Sequence, residues 1–477
     1  MLKKIINIGL MAAGMAMIVS SCKTPELAQK DVNNQVPESF NGSQDTTTSA
    51  TIAWQDYFKD PYLKALIDTA LNNNQELNIT LQEIQFAQTE VRARKGEILP
   101  SVDIGAGAGV DKVGRYTSQG ANDANTEIKP GEEMPEPLQD YMLGANATWE
   151  VDIWKKLRNA KKAALTRYLA SIEGKNFMVT NLISEISRSY YELLALDNQL
   201  EIIQQNIEIQ TNALDIVKYQ KEAARVTELA VRRFEAQVLD TKSLQFDIQQ
   251  KIVETENRIN FLVGRYPQHV ARDHREFTDL IPDLVQSGIP SQLLANRPDI
   301  RQAELELEAA KIDVQVAKAE FYPSLRITAG VGFNAFKGSY LFTSPESLIY
   351  SLAGELTAPL INRNAIKANY IGANAKQIQA IYNYEQTILN AYVEVVNQLS
   401  NIQNLEKSYR LRTQQVSALT ESIDISNELF KNARADYMEV LLTQRDALEA
   451  RFDLVETKMK QMNAKVNIYQ ALGGGWR

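Results

Sequence analysis

The sequence is short of the residues that most chemistry requires. Among its 477 residues are a single cysteine, Cys22, and two histidines, His269 and His274. One thiol excludes an internal disulfide. Two histidines in one charged loop, with no second thiol beside them, do not make a zinc-ligand set, and no metal site is expected. No Gly-rich phosphate loop, nucleophile elbow or His-based triad occurs. The chain is therefore read as a non-enzyme, with no catalytic residues and no cofactor. It has no basic tract and a net charge of −8, which removes the electrostatic basis for binding nucleic acid. A hydrophobic content of 44% with 23% charged residues excludes both a disordered chain and a helical multi-span membrane protein.

What is present begins at the N-terminus. Lys3 and Lys4 precede an apolar run, Ile5 to Val19, that is too short to span a bilayer comfortably but suits a signal peptide. The run ends Val19-Ser20-Ser21-Cys22, which resembles a bacterial lipobox. The expectation is a signal peptide over 1–21, lipid attachment at Cys22 and a polar, lipidated tether over 22–53.

The rest of the chain repeats itself. Leu71 to Pro100 aligns without gaps on Leu294 to Pro323, pairing Glu76 with Asp299, Ala87 with Ala310 and Val91 with Val314. A looser match at a different offset pairs Asp152-Ile153-Trp154 with Pro359-Leu360-Ile361. Two copies of one unit follow, a first repeat over 54–270 and a second over 297–477, joined by a linker over 271–296. Each copy reads helix, strand, loop, strand, long helix, turn, helix.

Four segments alternate with a period of two, the mark of strands with unlike faces. In the second of them Tyr141, Leu143, Ala145, Ala147, Trp149 and Val151 alternate with more polar residues. In the third, Leu325, Ile327, Ala329, Val331 and Phe333 do the same. Such strands suit either a soluble sheet with one wet face or tilted membrane strands. Their length, their place among long helices and the long loops inside each pair favour the membrane reading. Four strands cannot close a barrel, and open edges are not tolerated in lipid. A trimer would pool about twelve, an even number within the known range. Asp103, Glu150, Asp152, Arg326 and Glu355 fall on the polar face and are expected to line the lumen. Trp149, Trp154, Tyr141 and Tyr350 are placed at the membrane interfaces.

The helical segments carry heptad seams. One runs through Leu193, Leu196, Leu200, Ile203, Ile207, Gln210, Leu214 and Val217, another from Leu448 to Tyr469. Lys155 to Glu222 is predicted as one helix of roughly 100 Å, and Tyr62 to Glu97 as one of roughly 55 Å. The second long helix is expected after Ile361, with Asn362 or Asn364 as its N-cap.

Several motifs in order resemble the TolC-like outer-membrane efflux proteins in their lipid-anchored branch. They are Trp54 to Leu63, Trp149 to Trp154, Gly288-Ile289-Pro290-Ser291, Arg297-Pro298-Asp299-Ile300, Phe321-Tyr322-Pro323-Ser324 and the terminal Ala471 to Trp476. The resemblance implies a mainly α chain with membrane β, giving four strands and long coiled-coil helices from two structural repeats. It implies a homotrimer with a 12-stranded barrel in the bacterial outer membrane and a periplasmic helical tunnel. Its partners would be a periplasmic adaptor and an inner-membrane pump, and its role the export of small toxic compounds. The adaptor-docking tips would be the two helix-helix turns, around Ala224, Arg225 and Thr227 and around Ala433, Arg434 and Asp436. Glycine often stands in the family where this chain has Ala433. A periplasmic gate is expected just before the second tip, at Ile423, Asp424, Asn427 and Glu428, where acidic residues would become rings in a three-fold channel. Protein secretion by a type I system, metal-ion efflux and a pore-less structural tether are the competing functions. The alternating strands count against the tether, which would not need them.

Overall fold

The computed structural model describes residues 24–40, 45–273, 277, 280, 286–432 and 434–477. The expected signal peptide, Cys22 and Ala433 lie outside the described residues. The fold is the expected one, mostly helical with four long strands and a duplicated plan. The helices are α1 (Pro61–Asn73), α2 (Gln75–Gly96), α3 (Lys156–Glu222), α4 (Glu228–Leu262), α5 (Pro298–Ala319), α6 (Asn364–Lys431) and α7 (Tyr437–Ala471). The strands are β1 (Ser101–Asp111), β2 (Glu127–Lys129), β3 (Glu132–Glu133), β4 (Leu138–Val151), β5 (Ser324–Ala335) and β6 (Leu348–Thr357). No helix among the described residues is long and apolar enough to cross a membrane.

The repeat alignment holds at the level of element boundaries. Gln75 and Gly96, which bound α2, align with Pro298 and Ala319, which bound α5, and both helices have 22 residues. Ser101 and Ser324 open β1 and β5. The long helices have 67 and 68 residues, about 100 Å each, and α4 and α7 have 35 residues apiece.

Two boundaries differ from expectation. The helix predicted over Tyr62 to Glu97 is two helices, broken at Asn74, whose ψ of 125° is extended. The Asn74 side chain is buried and explains the break: its Oδ1 accepts from the Leu77 amide at 2.8 Å and its Nδ2 donates to the Leu262 carbonyl at 2.8 Å. The second correction concerns α6, which starts at Asn364, so that neither Asn362 nor Asn364 is its N-cap. Arg363 holds that place, its carbonyl accepting from the Lys367 amide at 2.9 Å.

Contacts divide the chain into two compact units that cut across the sequence repeats. Among the described residues one comprises 24–31, 85–169 and 305–381, the other 32–40, 45–84, 170–273, 277, 280, 286–304, 382–432 and 434–477. The first holds the sheet, in the order β1-β4-β5-β6, and the small hairpin of β2 and β3. The second holds the helical hairpins, and its core is the heptad seams. Leu193, Ile203 and Val217 are fully buried, as are Val455, Val466 and Tyr469. Tyr57 stacks on Tyr469 with ring centroids 3.9 Å apart. Asp60 caps α1 through the amides of Tyr62 and Leu63 and also accepts from the Tyr190 hydroxyl at 2.7 Å. Burial, reinforced by that carboxylate, pushes the Tyr190 hydroxyl far above the usual phenol range.

The segment read as a tether is not free chain. Within the first unit, Leu27 packs on the cluster of Ala317, Phe321 and Tyr370, and the Ala28 carbonyl accepts from Asn374 at 3.0 Å. Within the second, the Asn33 amide donates to Glu385 at 2.8 Å and the buried Phe40 stacks on Tyr392.

Candidate functional site

The sheet sorts its side chains by face, with Met142, Ile349 and Ala353 among the apolar members of the mostly polar side. Directly paired residues share a face, so the register decides composition. Ile104 pairs with Ala145, Ala145 with Val331 and Val331 with Tyr350. The other alternating residues of all four strands follow, and one face is apolar apart from Gly354 in β6 and Gln139 near the start of β4. The opposite face carries Asp103 opposite Asn146, and Arg326 directly between Glu150 and Glu355. The polar face is also the crowded one. A Cβ at Gly332 would lie 2.5 Å from the Leu143 carbonyl oxygen and 2.6 Å from Gly144 Cα, and one at Gly330 would lie 2.9 Å from Asn146 Oδ1. At these positions between β4 and β5 glycine leaves room that a side chain would not, whereas a Cβ at Gly105 or Gly107 of β1, on the same face, would meet nothing within 4 Å.

At the helical end of the sheet the candidate lumen residues divide. Glu150 pairs with Lys156. Asp152 is not free to face a lumen, because its carboxylate accepts from the amides of Leu157 and Arg158, each at 3.0 Å, and from Arg158 Nε at 3.0 Å. Burial opposes its charge, but those hydrogen bonds win and hold it below the usual aspartate range. It therefore caps the start of α3. Trp154 stacks on Tyr322 at 4.7 Å and donates to the Pro323 carbonyl at 2.8 Å, while Trp149 donates to the Ile98 carbonyl at 3.0 Å.

The two helix-helix turns are built alike. The Arg225 amide donates to the Gln220 carbonyl at 2.9 Å and the Arg434 amide to the Leu429 carbonyl at 2.8 Å, the same C-terminal closure of a helix. In the first turn this needs a left-handed residue, and Ala224 supplies it at φ 57°. Thr227 and Asp436 occupy the N-cap positions of α4 and α7 without bonding through their side chains. Val231, Phe234, Val440 and Leu441 pack in one cluster, which sets the turns side by side. A cleft lined by Arg225, Thr227, Phe430, Lys431, Asp436 and Tyr437 lies between them. Glu228 ties the first turn to α4 through Lys221 at 2.5 Å and Arg232 at 2.9 Å.

The gate candidates lie on α6 one to two turns before its end. Asp424 and Glu428 are exposed, Ile423 and Asn427 half-buried. Among the described residues neither carboxylate has a hydrogen-bond or ion-pair partner.

One cluster escaped sequence reasoning. Arg272, in the stretch read as linker, is buried and forked onto Asp197, with Nη2 to Oδ1 at 2.9 Å, and it also meets Glu256 and the Val270 carbonyl. Arg297, inside a quoted motif, does the same work further on. It meets Asp299 at 2.7 Å, Glu394 at 2.7 Å and the Ala471 carbonyl at 2.8 Å. The terminal motif packs there too: Gly473, at φ 90°, leaves no room for a Cβ beside the Asn296 carbonyl, and Trp476 donates to that carbonyl at 3.2 Å.

The family model described as "Outer membrane efflux protein" matches residues 66–265 and 289–474. The pyoverdine export outer membrane protein OpmQ of Pseudomonas aeruginosa is 28% identical over 424 residues, 89% of this chain and 87% of that protein. The cation efflux system protein CusC of Escherichia coli K12 is 26% identical over 445 residues, 92% of this chain and 93% of that one. The open state of the Neisseria gonorrhoeae MtrE outer membrane channel shares the fold with a TM-score of 0.82 at 23% identity, covering 95% of this chain and 99% of that one.

Proposed function

The chain belongs to the outer membrane efflux protein family, and on that premise we propose that three copies assemble into a single export duct. It is an outer-membrane efflux channel protein and not an enzyme. The observation that carries the trimer is the sheet. Among the described residues β1 pairs with β4 alone and β6 with β5 alone, so each copy offers two unpaired edges beside a largely apolar face. In lipid those edges must be paired. Joining β6 of one copy to β1 of the next removes every edge, and three copies of the four-stranded sheet make twelve strands. Two copies would leave little lumen. The helices support the same assembly, since Phe86, Phe246, Phe261 and Leu389 stand more than half exposed on a single copy and a neighbour would cover them.

In this duct the polar face, with Asp103, Glu150, Arg326 and Glu355, lines the barrel. The paired turns at Ala224 to Thr227 and Arg434 to Asp436 receive a periplasmic adaptor, which couples the duct to an inner-membrane pump. The cargo is small compounds chosen by that pump. Asp424 and Glu428 form the resting constriction. Electron microscopy of the detergent-purified protein, with three-fold symmetry tested rather than imposed, decides the assembly. A hollow trimer is expected. A monomer, or a rod without a lumen, would refute it.

A further inference from the structure

The four strands end in one row on the helical side of the sheet. Val151 pairs with Leu325, and Ser324 pairs with Thr357. Just below that row the duplicated plan places two apolar knuckles at equivalent positions. Ile153 and Trp154 follow β4 and are 49% and 47% exposed; Leu360 and Ile361 follow β6 and are 53% and 90% exposed. The cleft beside the first knuckle holds Glu150, Asp152, Lys156 and Glu320, and four further lysines lie at the same level of the chain. Lys155 continues the first knuckle and Lys367 lies in the opening turn of α6. Lys95 and Lys318 lie in the last turns of α2 and α5. All four lysines are exposed, and among the described residues none has an ion pair or hydrogen bond to its ammonium group. Other cations in the same band are neutralised within the chain, Lys156 by Glu150 and Arg158 by Asp152. The free lysines stand out in a protein whose net charge is −8.

Exposed apolar side chains beside unpaired lysines, at the level where membrane strands give way to helices, match the boundary between acyl chains and phosphate headgroups. We propose that this band is a binding surface for anionic glycerophospholipid headgroups of the periplasmic leaflet of the outer membrane. The knuckles enter the acyl boundary, and Lys95, Lys155, Lys318 and Lys367 take the phosphates. The inference rests on the barrel spanning the membrane. Its occupant is set by charge complementarity, because a zwitterionic headgroup offers these lysines no net attraction.

Native mass spectrometry of the full-length assembly tests this, with phosphatidylglycerol and phosphatidylethanolamine supplied together. Wild type should retain phosphatidylglycerol by about five-fold or more, since one cation at an anionic surface already accounts for that factor. The preference should weaken as salt rises. K95Q/K155Q/K318Q/K367Q should bind the two lipids equally, whereas K242Q/K251Q, on exposed lysines of α4, should behave as wild type. Equal retention by wild type, or a preference that survives in the quadruple variant, would overturn the proposal. So would stronger retention of lipid A than of phosphatidylglycerol. If the quadruple variant does not assemble, K155Q and K367Q alone should each lower the preference, and no change in either counts against it. Channel conductance, measured in parallel, reports separately on the duct itself.

Discussion

Lys155 and Asn362 stand at the same point of the two repeats and hold the same left-handed backbone, at φ 61° and 54°. Each follows a membrane strand by a few residues and precedes a long helix. The residue type is not shared, so the conformation is imposed by the turn from sheet to helix. A left-handed non-glycine residue costs about 1–2 kcal/mol, less for asparagine, which tolerates that region. Asn362→Gly should therefore match or exceed the wild type in thermal unfolding. Asn362→Val should lose roughly 1–2 kcal/mol. An unchanged melting temperature for the valine variant would show that the turn does not require the conformation.

Gly332 tests how closely β4 and β5 approach. A methyl group there would lie 2.5 Å from the Leu143 carbonyl oxygen and 2.6 Å from Gly144 Cα, both backbone atoms that cannot swing aside. Gly332→Ala should push β4 and β5 apart and sharply lower the yield of assembled oligomer, read by size on native gels. Normal assembly of this variant would mean that the strands pair more loosely there.

Arg272 fastens the stretch between the repeats to α3 and α4. Among the described residues its guanidinium alone meets both Asp197 and Glu256, so Arg272→Ala strips Asp197 of this partner and leaves Glu256 only the His269 ring and the Val270 amide. The cost should be on the order of 3 kcal/mol. Arg272→Lys should recover only part, because an ammonium cannot fork onto Asp197 while reaching Glu256. Chemical denaturation of the two variants separates these cases. Equal stability of the lysine variant and wild type would show that charge alone suffices.

Legibility in the sequence followed the physics of repetition. Period two fixed which residues of β4 and β5 share a face, and heptads fixed the buried stripe from Leu193 to Val217, because each signal is summed over many residues. Single-residue events were harder. The break at Asn74 carries neither glycine nor proline; its cause is a buried amide bonding to Leu262, far off in the chain. Asp152 sits in polar phase with the residues proposed to line the lumen, yet its carboxylate turns to cap α3. Alternation gives a side chain's face and says nothing of its partners. The docking of Phe40 on Tyr392 and the Arg272 clasp are contacts between distant segments, and polar composition alone made both stretches look like linkers.

The proposed gate rests on the relation of two carboxylates. Asp424 and Glu428 are one helical turn apart, exposed and unpaired among the described residues, with Ile425 and Leu429 exposed beside them. Like charges at this spacing disfavour a helix by a few tenths of a kcal/mol, so their presence is not explained by stability. In a three-fold assembly each becomes a ring of acids that attracts cations and repels its own members. Asp424→Lys with Glu428→Lys should lower single-channel conductance for potassium and shift the reversal potential toward anion selectivity. Asp424→Asn with Glu428→Gln should fall between that variant and wild type. The differences should shrink at high salt, where rings of exposed charge are screened. Neutralising the pair relieves the repulsion along α6, so the Asn/Gln variant should fold and assemble at least as well as wild type. A changed conductance would then belong to the pore. If conductance and selectivity match wild type in both variants, the two carboxylates are ordinary solvated charges and the constriction lies elsewhere on α6.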